Sequence, residues 1–231
     1  MKILGLIGGM SWESTIPYYR QINETIKTRL GGLHSARIVL YSVDFHDIER
    51  LQHAGQWEEA GALLADAAVR LEQAGANGLV LCTNTMHKVA PQIESAVRIP
   101  LLHIADPTAE AIKAQHLSRI GLLGTRFTME QDFYRVRLEH QHGLNILTPD
   151  DSDRDIIHQI IYDELCQGVI RDTSRASYLA VIDRLKARGA QAIILGCTEI
   201  SLLVEPHHVN LPLFDTTRLH AESAAEWMLE V

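Results

Sequence analysis

The chain has 231 residues, 46 % of them hydrophobic, which suits one large α/β domain or two small ones with a buried core. A formal net charge of −8 argues against a nucleic-acid or membrane-surface partner, while leaving room for a local anion pocket. No apolar run is long enough to span a bilayer, and three cysteines cannot all pair within one chain, so a reduced, cytoplasmic setting is expected.

The opening stretch, MKILGLIGGMSWES, carries a lysine and a short apolar run, as a signal peptide would. Glycines and a helix start stand where a cleavage site would fall, so it reads as a buried first strand. Short Ile/Leu/Val runs then recur at 3–7, 38–43, 78–81, 99–103, 120–123, 144–147, 192–195 and 211–214. Continuous apolar runs of this length suit parallel strands covered on both faces. Helix-period patterns lie between them, at 15–30, 57–73, 88–97, 108–115, 129–141, 154–166 and 174–187. Gly31, Gly75, Gly143 and Gly189 fall where those helices should stop. The alternating order predicts a doubly wound α/β fold.

Two strand ends repeat. Gly5-Leu6-Ile7-Gly8 resembles Gly121-Leu122-Leu123-Gly124, and Leu79-Val80-Leu81-Cys82-Thr83 resembles Ile193-Ile194-Leu195-Gly196-Cys197. The near-equal offsets predict duplicated halves, taken as 1–98 with 212–231 and as 99–211. Ligands of open α/β sheets bind beyond the carboxyl ends of the strands, so each matched run delivers its last residues to a binding edge. In this alignment Thr83 pairs with Cys197, and Cys82 stands one residue early. A slip of one residue reverses a strand side chain's facing, so Cys82 is expected on the packed side.

The turn Gly5-Leu6-Ile7-Gly8-Gly9-Met10-Ser11 lacks both Walker A and dinucleotide-binding spacing. It reads either as a plain tight turn or as a cradle of backbone N–H groups for an anion, with Thr125 ending the matching turn. No metal-ligand spacing is present at a strand end. His87 reads as an ordinary polar residue in the first turn of a helix, and Cys166 as packing. Cys197 ends a buried strand just before a possible helix start, where a thiol's pKa would be lowered and thiolate favoured. An inert buried cysteine fits those residues equally well.

Four blocks carry a family resemblance along the whole chain: GLIGGMSWEST at 5–15, TNTMH at 83–87, LLGTRFTMEQDFY at 122–134 and GCTEI at 196–200. They resemble the aspartate/glutamate racemase family. The resemblance implies two α/β halves with pseudo-twofold symmetry, an active site between them, and no pyridoxal phosphate, metal or other cofactor. It also implies a cytoplasmic homodimer acting on a small amino acid. Family members use two cysteines, one per half: one removes the α-proton, the other returns a proton to the opposite face. Here the first motif reads Thr83-Asn84-Thr85 in place of Cys-Asn-Thr, whereas Cys197, Thr198 and Glu199 are intact. This matches a subset of the family specific for the L-forms of aspartate and glutamate. The catalytic residues are then Cys197 and Thr83. Asn84, Thr85 and Thr198 would donate hydrogen bonds to the substrate carboxylate, aided by backbone N–H groups near Met10, with Thr125 and Glu199 in the same set. Gln52, in the expected loop 44–56, is a candidate for the distal group, or else a plain surface residue. The rival readings are a maleate isomerase, hydantoin racemase or decarboxylase of the same fold, and an amino-acid-binding protein without turnover.

Overall fold

The computed structural model describes residues 1–230. They divide into two compact units, residues 1–103 with those from 220 onward, and residues 104–219. The first unit contains β1 (Leu4–Gly8), α1 (Trp12–Leu30), β2 (Ile38–Ser42), α2 (Phe45–His53), α3 (Trp57–Gln73), β3 (Gly78–Leu81), α4 (Ala90–Ala96) and β4 (Leu101–Leu102). Its strands form one parallel sheet in the order β2-β1-β3-β4. One sheet face packs Ile7, Leu79 and Leu81 against Ile48, Leu64, Ala68 and Ile93. The other packs Leu4, Leu6, Val80 and Cys82 against Tyr18, Ile22 and Ile26 of α1. Burial on both faces is why these strands are apolar without alternation.

The second unit contains α5 (Ala105–Ala114), β5 (Arg119–Gly124), α6 (Arg126–Glu130), α7 (Asp132–Val136), β6 (Asn145–Leu147), α8 (Asp151–Asp163), α9 (Asp172–Ala187), β7 (Ala192–Gly196), α10 (Ile200–Leu203) and β8 (Leu213–Asp215). Helix α11 (Thr216–Leu229) begins here and ends in the first unit. The second sheet is also parallel, in the order β6-β5-β7-β8. The strand order of one sheet thus repeats in the other.

The repeat extends to side-chain packing. A Cβ on Gly5 would sit 2.9 Å from Leu79, 3.1 Å from Ala76 and 3.2 Å from Leu71. A Cβ on Gly121 would sit 2.6 Å from Ile193, 3.1 Å from Leu185 and 3.6 Å from Ala190. The same three neighbours recur 114 residues later, and both glycines let a helix lie close on the sheet.

The unit boundaries differ from the expected 98/99 and 211/212. Leu101 pairs with Leu79, which puts β4 in the first sheet, and Leu213 pairs with Ile193, which puts β8 in the second. The division therefore falls after each fourth strand. The expected loop 44–56 contains α2, capped by Asp44, whose carboxylate accepts a hydrogen bond from the His46 N–H at 3.0 Å. The expected helix 88–97 is a 3₁₀ turn (Thr85–Val89) followed by α4, with Pro91 in its first turn, where a missing N–H costs nothing. Among the described residues no helix is long and apolar enough to cross a membrane.

Candidate active site

In the first unit the candidate residues collect beyond the carboxyl ends of the strands. Along β3 and just past it, Leu79 and Leu81 enter one core cluster while Val80 and Cys82 enter the other. Cys82 is fully buried, and burial pushes its thiol pKa far up. It is a packing residue that stays neutral. Thr83 follows at the parity of Leu79 and Leu81, where the chain turns: its N–H donates to the Leu81 carbonyl at 2.8 Å. His87 Nδ1 lies 2.8 Å from the Thr83 carbonyl. A carbonyl only accepts, so Nδ1 carries the proton and His87 ties the turn down. Asn84 and Thr85 are buried in the same turn. Gln52 is only 4 % exposed, not a surface residue, and its Nε2 donates to Met86 Sδ at 2.9 Å, inside the TNTMH block.

The glycine-rich turn after β1 is largely occupied by its own chain. Gly9, at φ 91°, donates its N–H to Thr15 Oγ1 at 2.8 Å, so that donor is not offered to an anion. A Cβ there would lie 2.3 Å from the Val43 carbonyl oxygen, so glycine is required. Ser11 caps α1 by accepting from the Ser14 N–H. Met10 places its side chain in the core cluster with Ile48 and Leu51. Thr125 of the second unit likewise caps α6, accepting from the Thr128 N–H at 3.3 Å.

In the second unit Cys197, Thr198 and Glu199 follow β7 directly. The Cys197 thiol donates to Glu199 Oε2 at 2.9 Å, and the Thr198 hydroxyl donates to the same oxygen at 2.6 Å. Glu199 is 2 % exposed. Cys166 approaches the other carboxylate oxygen, with Sγ 3.9 Å from Oε1. The Cys197 thiol pKa is raised well above its ordinary value, by burial first and then by the charges of Glu199 and Cys166 and the hydrogen bond to Glu199. This reverses the expected lowering. The following helix, α10, has only four residues, and a buried carboxylate 2.9 Å away outweighs it. The resting thiol is therefore neutral, with a carboxylate placed to receive its proton.

Three residues escaped the sequence reading. Cys166 is not mere packing, since it stands at the second oxygen of Glu199. His87 anchors the turn that holds Thr83. Thr217, beyond β8, buries a hydroxyl that makes no hydrogen bond; the only trace of it in the sequence is the polar Asp215-Thr216-Thr217 run after an apolar strand. No group of three or more His, Cys, Asp or Glu side chains among the described residues is arranged to hold a metal ion.

Comparison with known proteins adds a further line. A family model for Asp/Glu/hydantoin racemases matches residues 7–224. A solved structure from Yersinia pestis, provisionally assigned as an Asp/Glu racemase, is 61 % identical with a TM-score of 0.93, covering all of both chains. An aspartate racemase homologue from Pyrococcus horikoshii OT3 is 30 % identical with a TM-score of 0.85, again over all of both chains. The broad specificity amino-acid racemase RacX of Bacillus subtilis strain 168 is 22 % identical over 98 % of each chain.

Proposed function

The chain belongs to the Asp/Glu/hydantoin racemase family and is an isomerase of the racemase type, and on that premise we propose that it acts on L-aspartate, L-glutamate or a similar small amino acid without a cofactor. Cys197 is the base for the L-form α-proton, and Thr83 stands where the second thiol would be. The observation that carries this reading is the Cys197–Glu199 contact at the end of β7.

The α-proton of an amino acid is a poor acid, and its removal places charge on the carboxylate as an enediolate forms. A neutral thiol cannot take that proton. In the proposed step Glu199 accepts the thiol proton, the Cys197 thiolate takes the α-proton, and the thiol is re-formed. Thr198, already bonded to Glu199, holds the carboxylate in line. Asn84 and Thr85 donate to the substrate carboxylate, Gln52 serves the distal group, and the turns at Met10 and Thr125 are further candidates for substrate contact. Because the proton passes from the thiol to Glu199 within the pair, the reactive form carries as many protons as the resting one, so kcat/KM for the L-form should stay level as pH rises through neutrality.

Incubation of each enantiomer in D₂O tests the reading. Deuterium entering Cα identifies proton abstraction, whereas a protein that only binds amino acids exchanges none.

Glu199→Gln separates the roles of the carboxylate. It removes the proton acceptor, so turnover should fall by ~10²–10⁴-fold. It also removes a negative charge that holds the thiol protonated, so the pH midpoint of iodoacetamide alkylation at Cys197 should move down. An unmoved alkylation midpoint would show that Glu199 does not govern the thiol.

Exhaustive dialysis against a chelator should leave the rate unchanged. Loss of activity that a divalent ion restores would refute a cofactor-free reaction.

A further inference from the structure

Thr217 is 4 % exposed, and its hydroxyl makes no hydrogen bond within the fold. A sealed, unpaired hydroxyl is destabilising and calls for a cause. Other buried threonines in helices satisfy themselves locally. Thr15 donates to the Ser11 carbonyl at 3.0 Å and Thr108 to the Ile104 carbonyl at 3.1 Å, each four residues back. Thr217 has no such outlet. It is the second residue of α11, and the residues three and four before it, Phe214 and Leu213, belong to β8. A valine would take up the same space without the unpaired oxygen.

The turn that carries Thr217 is fixed against the end of β7. Leu195 pairs with Asp215, and the Thr216 hydroxyl donates to the Leu195 carbonyl at 2.9 Å. Cys197 follows Leu195 by two residues and Thr217 follows Asp215 by two, so both stand at one register position on the carboxyl edge of the second sheet. Thr125, Thr198 and Glu199, the candidate residues of that edge, are 5, 6 and 2 % exposed, so Thr217 is buried as they are. A substrate that engages any of them parts this edge as it enters. The edge is negative. Asp215 Oδ1 accepts from the N–H groups of Thr217 at 2.9 Å and Arg218 at 3.1 Å. It thereby offsets the partial positive charge that would draw an anion to the start of α11. Glu199 adds a second carboxylate beyond β7. Such an edge selects a cationic group.

We propose that Thr217 is a substrate-binding residue whose hydroxyl accepts a hydrogen bond from the α-ammonium group of the amino acid. The assignment rests on the function proposed above, in which Asn84 and Thr85 serve the carboxylate, Gln52 serves the distal group and the ammonium has no partner. A hydroxyl oxygen has lone pairs to accept from it. Away from water, a hydrogen bond from a charged donor is strong. The instability of the unpaired oxygen is offset when substrate binds, which is why threonine stands where valine would fit.

The test compares L-aspartate with succinate, the same dicarboxylate with hydrogen in place of the ammonium group. KM for L-aspartate is read from deuterium entry at Cα, and the inhibition constant of succinate from its competition with that exchange. Thr217→Val should raise KM for L-aspartate by ~10–100-fold and leave the succinate constant within about twofold. Thr217→Ser, which keeps the hydroxyl, should bring KM back to within a few-fold of wild type. Without substrate, Thr217→Val should melt about 2–4 °C above the wild type, because an unpaired buried oxygen is gone. A wild-type KM in Thr217→Val would overturn the proposal. Equal weakening of L-aspartate and succinate would show a structural role and overturn it too, as would a Thr217→Val chain that fails to fold or melts lower. A wild type that exchanges neither L-aspartate nor L-glutamate would instead strike the substrate reading, and this assignment with it.

Discussion

Replacing Cys197 by Ala should lower racemisation of the L-form by at least ~10³-fold, while Cys82→Ala should leave it nearly unchanged. A loss of that size is about 4 kcal/mol of transition-state stabilisation. The contrast follows from position rather than from residue type. Cys197 is bonded through its thiol to Glu199, whereas Cys82 is sealed among Leu4, Leu6, Val80 and Tyr18 with its thiol held neutral by burial. Cys82→Ala should instead appear as a stability loss of about 1 kcal/mol, the usual range for trimming a small buried side chain. Cys166→Ala lies between the two, because it removes a thiol that neighbours Glu199 without removing the base. Its effect should be mainly on the pH dependence of Cys197 alkylation, with the midpoint lowered, since Cys166 is one of the charges raising the Cys197 thiol. Equal inactivation by Cys82→Ala and Cys197→Ala in folded protein would contradict the strand parity on which the assignment depends.

The strands were legible because burial on both sheet faces leaves a direct trace, a continuous apolar run, and all eight expected runs contain strands. Helix α2 was not legible: it is short and polar, and only its Asp44 cap separates it from a loop. Helix α11 leaves little trace in the sequence because its alanine-rich stretch has weak amphipathic contrast, although Ala221, Ala224 and Ala225 pack against the first sheet. The facing of Cys82 could be read from strand parity alone. The protonation state of Cys197 could not. It depends on Glu199 folding back onto the thiol two residues earlier and on Cys166 arriving from a distant segment, and neither approach has a spacing signature. Gln52 shows the same limit: its burial against Met86 depends on α2 packing over the TNTMH turn.

Thr83→Cys should raise Cα exchange of the D-form and racemisation in both directions. Enantiomers have equal free energy, so forward and reverse kcat/KM for racemisation are equal whatever residues do the work. The asymmetry must therefore show in proton exchange. In the proposed mechanism Cys197 removes the L-form α-proton and can return a solvent-derived one to the same face. Exchange of the L-form then outruns its inversion. The D-form presents its α-proton to Thr83, whose hydroxyl does not ionise near neutral pH. Its exchange should be slow or undetectable in the wild type. Cysteine at position 83 places a titratable group on that face with little change of volume. The site is prepared for it, because His87 holds the Thr83 carbonyl and not its side chain, so the turn should survive the exchange. The measurement is deuterium uptake at Cα from D₂O, followed separately for each enantiomer in wild type and Thr83→Cys. Equal uptake from both enantiomers in the wild type, or no gain for the D-form in the variant, would remove Thr83 as the source of the bias.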